Sequence, residues 1–332
     1  MLNKTIIVLQ NTTYHFETGL SLYSSLVNTG AEVYMHRCCR NIFQQERFLE
    51  RLGVQIASEE DLKRADCGVV VSAYPNPQVQ ISESIPNEKD ESIMGFGDKL
   101  LYVTHRFMNK EDYESNESPV KTHNSICLSP LGASVGLDYL FPVDMPVVPI
   151  KNPLGDLMKF TVQSHFHLNN RNISEWINSF CNMSPRMIRV NFIGDRVHNA
   201  HQMLNRDRNK KKFFSNINEE LFYHLMNHET HFIMPLIDGL TKGGTYIKER
   251  FSSNFNLAFA LEKPVFCHEV FREIYGTPGF YYDDENVLEV AEKMFGMTEH
   301  DYGSMVDQYK LIKEEKRNHN KKVLEYKILN LC

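Results

Sequence analysis

The stretch Pro235–Tyr282, PLIDGLTKGGTYIKERFSSNFNLAFALEKPVFCHEVFREIYGTPGFYY, reads as strand, glycine-containing loop, helix and strand. An apolar run over Phe232–Leu236 leads into it, and Gly239, Gly243 and Gly244 let the next loop pass close to a ligand. Ser252, Ser253 and Asn254 are N-cap residue types ahead of a helix over Phe255–Leu261. Pro264–Cys267 then begins a short strand. Strand, crossover helix and strand in that order form a βαβ unit, whose strands run parallel.

The same alternation extends outward. Strands are expected at Lys159–Ser164 and Met187–Ile193, and helices at Ile173–Phe180, Glu219–Met226 and Val287–Met294. A charged helical tail spans Tyr302–Leu329. In the first half, strands fall at Thr5–Leu9, Glu32–Met35, Gly68–Ser72, Lys99–Thr104 and Ser125–Leu128. Helices fall between them at Phe16–Asn28, Ile42–Leu52 and Glu59–Ala65. Three prolines within Phe141–Pro149 exclude a helix and suit a stiff linker. The expected architecture is α/β, with two doubly wound Rossmann-like domains facing a cleft. Residues 1–148 form an N-terminal domain, 149–304 a C-terminal one, and 305–332 a helical tail packing back on the first. Ligands of such sheets bind at the carboxyl ends of the strands.

Composition narrows the function. The chain has 332 residues, 42% of them hydrophobic, and its 42 acidic and 36 basic residues leave a net charge of -6. This is a globular composition without the basic excess of a nucleic-acid binder. Seven cysteines, odd in number and without a CxxC pair, suit reduced thiols in the cytoplasm. The apolar run at the N-terminus is too short for a signal segment, and no run reaches the length of a membrane span. Peripheral contact with a membrane surface stays open.

Lys242, Lys248 and Arg250 shortly precede the Ser252–Asn254 helix start in sequence. Free amides of a helix N-terminus with cations nearby suit a diphosphate. The segment resembles the donor-binding motif of GT-B-fold glycosyltransferases, closest to the retaining family-4 type, with its pattern E-x-F-G-x-x-x-x-E-A-x-A-x-G-x-P-V. Glu249-Arg250-Phe251 matches the start, and Ala258, Ala260, Pro264 and Val265 the second half. Ser252 replaces the first glycine, Leu257 stands at the second acid, and Glu262 stands at the later glycine.

The resemblance implies an enzyme that takes a nucleoside diphosphate sugar as co-substrate, without another cofactor or a metal, and a carbohydrate or glycoconjugate acceptor. Glu249 would contact the donor. Arg171, in the segment QSHFHLNNRN, takes the place of the family's diphosphate-binding basic residue, joined by Lys248, Lys242, Ser252, Ser253 and Asn254. Gly194, in FIGD, with Ser215 and Asn216, in FFSNINEEL, would flank the nucleotide. His105, after the strand LLYVT, and His15, before the first helix, are the acceptor-side candidates, since imidazole can take a proton near neutral pH. Alternatives are a non-hydrolysing sugar-nucleotide epimerase and a non-catalytic nucleotide-sugar-binding scaffold of the same fold.

Other signals carry less. His224 and His228 have i, i+4 spacing with His231 beyond, yet Leu221, Phe222 and Leu225 are expected to turn that helix toward the sheet. His165 and His167 alternate on one strand, and Asp283-Asp284 is a lone acid pair in a loop. The run Arg206–Lys212, RDRNKKK, reads as a solvated loop.

Overall fold

The structure, a computed structural model, describes residues 2–10, 16–36, 42–71, 96–104, 121–163, 174–183, 187–194, 197, 210–235, 252–283 and 285–332. The chain divides into two compact units. The first comprises Met1–Val147, Lys248–Asn256 and Lys313–Cys332, and the second Val148–Ile247 and Leu257–Ile312.

The sheet of the first unit contains β1 (Thr5–Gln10), β2 (Glu32–Met35), β3 (Cys67–Val71), β4 (Leu100–Thr104), β5 (Ser125–Cys127) and β6 (Asp138–Tyr139). Their order is β2-β1-β3-β4-β5-β6, and every described pairing is parallel. CGVVV of β3 is buried at every position, as a central parallel strand covered on both faces must be. The helix Glu59–Arg64 is short but well begun. Ser58 and Asp61 form a reciprocal capping box.

The second sheet contains β7 (Leu157–Gln163), β8 (Met187–Ile193), β9 (Lys211–Phe214), β10 (Phe232–Ile233), β11 (Val265–His268) and β12 (Gly279–Tyr282). Their order is β12-β11-β10-β7-β8-β9, again all parallel. Counted from β7, this is the 3-2-1-4-5-6 order of the dinucleotide-binding fold. The order reverses between β7 and β10 here, and between β1 and β3 in the first sheet. At each reversal the crossovers leave in opposite directions, which opens a crevice beyond the strand ends.

Aromatic packing closes the second core. Phe160 stacks on Phe232 with ring centroids 5.4 Å apart, and its ring meets Phe180 edge-on at 5.1 Å. Gly279 pairs with Val265, and a methyl group there would lie 2.2 Å from the Val265 carbonyl oxygen. Backbone cannot yield as a flexible side chain does. Gly279→Ala should cost about 3 kcal/mol of stability by overpacking, read as a lower urea midpoint; an unchanged midpoint refutes the close approach.

Two sequence expectations are corrected. Lys211 and Lys212 belong to β9 rather than to a solvated loop, paired with Val190 and Asn191 of β8, and Lys211 is buried. Charge hid the strand, yet lysines are common on edge strands because they deter further pairing. Leu221 does not face the sheet and is exposed. In the helix Glu219–His228 the inward arc is set by Phe222, Tyr223, Leu225 and Met226, and Leu221 lies one step outside it.

The helix Glu299–Leu331 is longer than the sequence reading at both ends. Thr298 and Asp301 cap its start reciprocally, at 3.0 and 3.1 Å. Its residues up to Ile312 belong to the second unit, where Tyr302 and Tyr309 are buried. The Tyr309 hydroxyl donates to the carbonyl of Lys263 at 2.7 Å, and the buried Lys263 ammonium donates to the carbonyl of Ile150 at 2.6 Å. From Lys313 onward the helix belongs to the first unit. There Asn320 exchanges two hydrogen bonds with the backbone of Phe141, and Arg317 grips Asp144 through Nε and Nη2. Lys327 donates to the carbonyls of Thr122 and His123 and pairs with Asp138 at 2.9 Å.

Candidate functional site

In the second unit, the candidate residues cluster where adjacent strands end. Gly194 follows β8 at φ 145°, and its amide donates to the carbonyl of Phe214, the last residue of β9, at 3.2 Å. Ser215 and Asn216 come next. Asn216 sits in the left-handed region at φ 52°, a conformation that asparagine tolerates better than most residues. Asn218 then caps the helix Glu219–His228, its Oδ1 accepting from the Leu221 amide at 2.9 Å. Gly194, Ser215 and Asn216 therefore share one edge of the sheet, beyond the carboxyl ends of β8 and β9.

In the first unit, the helix Ser253–Leu261 begins at Ser253. Ser253 and Asn254 consequently lie in its first turn rather than ahead of it, and Ser252 precedes it. The Ser252 carbonyl accepts from the Phe255 amide at 3.1 Å, and Asn254 Nδ2 approaches Ser252 Oγ at 3.5 Å. Ser252 and Asn254 are both buried. This helix is enclosed on nearly all sides, which explains why its sequence, SNFNLAFAL, shows no polar face. Leu257, at the position of the pattern's second acid, is fully buried.

Asn256 was not singled out by the sequence reading. It is 0% exposed, and its Nδ2 donates at 3.1 Å to the carbonyl of Glu17 in the helix Phe16–Val27. The available signal was one amide inside the apolar run FNLAFAL. His15, His105, Arg171, Lys242, Lys248 and Glu249 lie outside the described residues, as do His165, His167 and Asp284. His105 follows Thr104, the buried last residue of β4, and His15 immediately precedes the helix Phe16–Val27.

The competing histidines and acids have structural partners. The rings of His224 and His228 stack at 4.6 Å on the exposed face of their helix. His231 is buried, and its Nδ1 accepts from the Lys159 amide at 3.0 Å. Burial, reinforced by Lys159 and Lys263, pushes its pKa down to about 4. Asp283 accepts from the amides of Glu285 and Asn286, forming a loop turn. Among the described residues no group of three or more His, Cys, Asp or Glu side chains is arranged to hold a metal ion. No helix among them is long and apolar enough to cross a membrane.

Two Rossmann-like parallel sheets in these strand orders define the fold as that of GT-B glycosyltransferases. No protein-family model matches the chain, and no curated protein matches it in sequence. Among solved structures, it is similar to AviGT4, a glycosyltransferase involved in avilamycin A biosynthesis, over 98% of both chains, with a TM-score of 0.58 and 13% identity. It is similar also to Anabaena Alr3699/HepE, solved in complex with UDP-glucose, over 97% of this chain and 98% of that one (TM-score 0.55, 12% identity). Trehalose-6-phosphate synthase OtsA matches over 97% and 98% of the two chains, with a TM-score of 0.51 and 7% identity. At these identities the likeness is one of fold.

Proposed function

We propose that the chain is a glycosyltransferase that moves a sugar from a nucleoside diphosphate sugar to a hydroxyl of a carbohydrate or glycoconjugate acceptor. The observation that supports this most is the helix start Ser252–Asn254, with Ser252 and Asn254 buried, directly after Glu249-Arg250-Phe251, on a GT-B fold. The solved HepE complex with UDP-glucose supports the donor class.

In this reading the helix amides and hydroxyls near Ser252, with Arg171 and Lys248 or Lys242, stabilise the departing diphosphate. Arginine's fork matches two phosphate oxygens at once. Because protein cations supply that charge, neither a metal nor a further cofactor is required. Glu249 contacts the donor, while Gly194, Ser215 and Asn216 flank the nucleotide. His105 and His15 are the acceptor-side groups, and a cytoplasmic site of action fits seven cysteines, odd in number and without a CxxC pair.

Thermal-shift measurements against UDP-, GDP-, CDP- and dTDP-sugars test the proposal. A donor at a hundred times its Kd stabilises the native state by about 2.7 kcal/mol, several degrees of melting temperature. Arg171→Ala should weaken that donor at least about tenfold, the worth of one charge-assisted hydrogen bond. Glu249→Ala should lower turnover. Unchanged affinity and turnover in both variants would defeat the site assignment. Release of a C2-epimerised sugar nucleotide, with no acceptor needed, would favour an epimerase.

A further inference from the structure

We propose that Asn256 is a positioning residue that registers the start of the Phe16–Val27 helix against the N-terminal turn of the Ser253–Leu261 helix. The inference rests on the glycosyl-transfer reading and adds to it a determinant of turnover outside the donor contacts.

Asn256 is a costly residue for its place. Phe255, Leu257 and Ala258 around it are buried, and an apolar side chain would pack there without burying an amide. Only half of that amide is used. Nδ2 donates to the Glu17 carbonyl, while Oδ1 is buried without a hydrogen-bond partner among the described residues. The hydroxyls of Thr18 and Ser21, on the same helix as Glu17, are also buried without partners there. A carbonyl in the first turn of a helix already accepts the amide four residues on, so Glu17 does not need Asn256 as a cap. Stability alone does not account for this arrangement, since an unsatisfied buried polar atom costs about 1–3 kcal/mol.

Position does account for it. Asn256 lies one turn after Ser253, and Glu17 lies two residues after His15. The single bond between them therefore fixes the diphosphate-binding turn against the helix that follows the acceptor-side loop. Both residues belong to the same compact unit. Transfer requires the leaving group and the incoming hydroxyl to be aligned within a fraction of an ångström. A displacement of about 1 Å by a remote change can cost on the order of a hundredfold in rate.

The decisive variant is Asn256→Leu, nearly isosteric and free of the buried amide, with Asn256→Ala as a second in case leucine fails to fit. Donor turnover kinetics, melting temperature and hydrogen exchange of peptides covering residues 16–21 are compared with wild type. The expected result is a kcat lower by about 10–100-fold, a donor KM within about threefold, and a melting temperature equal to or above wild type for leucine. Exchange at the start of the Phe16–Val27 helix should be faster. A folded variant with wild-type kcat overturns the proposal, and so does unchanged exchange at that helix start. Wild-type protein that turns over no sugar nucleotide would instead refute glycosyl transfer and with it the kinetic role, while exchange would still decide whether the tie exists.

Discussion

Lys263→Met should make the protein more stable at neutral pH, and the advantage should shrink as the pH rises. Lys263 is 1% exposed, and among the described residues its ammonium has one carbonyl partner, Ile150. Desolvation outweighs the attraction of Glu262 and brings its pKa down to about 7. In the unfolded chain the amine titrates near 10.4. Between these values the unfolded state binds more protons than the native one, so stability increases with pH across that window. Below about 7 both states are protonated, the full penalty applies, and the slope vanishes.

Methionine fills a similar volume without a charge. The gap between variant and wild type should therefore narrow by about 3 kcal/mol from pH 7 to pH 10. Urea melts of both proteins at each pH measure it directly, and taking the difference between the two removes the other titrating groups. A gap that does not change with pH would mean that Lys263 stays charged in the native state.

Arg317→Leu should act in the opposite direction. Asp144 has a buried carboxylate that takes Arg317 Nε at 2.9 Å and Nη2 at 2.6 Å, with Asn28 Nδ2 at 3.2 Å. Removing the guanidinium leaves a buried anion with one neutral donor among the described residues, Asn28. Loss of one partner of a buried pair costs about 3–5 kcal/mol; with the Arg317 side chain 39% exposed, about 2–3 kcal/mol is expected. Adding Asp144→Asn to the arginine variant should recover part of the loss, because the stranded charge disappears. If the single variant loses less than about 0.5 kcal/mol, the pair is no stronger than an ordinary surface contact.

Much of the fold was legible because parallel strands covered on both faces read as short apolar runs. TIIVLQ and CGVVV announce themselves in this way, and MIRVNFI through the alternation of its apolar residues with Arg189 and Asn191. The elements that escaped were those with little apolar signal. Asp138–Tyr139 is a strand of two residues, and Val270–Tyr275 a six-residue helix with Arg272 and Glu273 in it. The start of Lys211–Phe214 was concealed by the basic run to which Lys211 and Lys212 belong. The strand orders were beyond sequence patterns, since pairing partners are set by long-range packing.

The site was legible in part. Gly194, Ser215 and Asn216 meet because Ile193 and Phe214 pair at the ends of their strands, a register the sequence does not reveal. Asn256 escaped because its importance lies in what is left unsatisfied. A lone asparagine in an apolar helix looks like a weak helix former until its burial and its single bond are seen.

The division of the Glu299–Leu331 helix bears on synthesis at the ribosome. Asp144, Asp138 and the backbone of Phe141 are made well before their partners Arg317, Lys327 and Asn320, which follow roughly 170–190 residues later. At usual elongation rates that gap is roughly 10–30 s. Throughout it Asp144 and Asp138 of the nascent first unit lack their Arg317 and Lys327 partners. The first unit therefore gains the contacts of residues 313–332 only after the whole second unit has been synthesised.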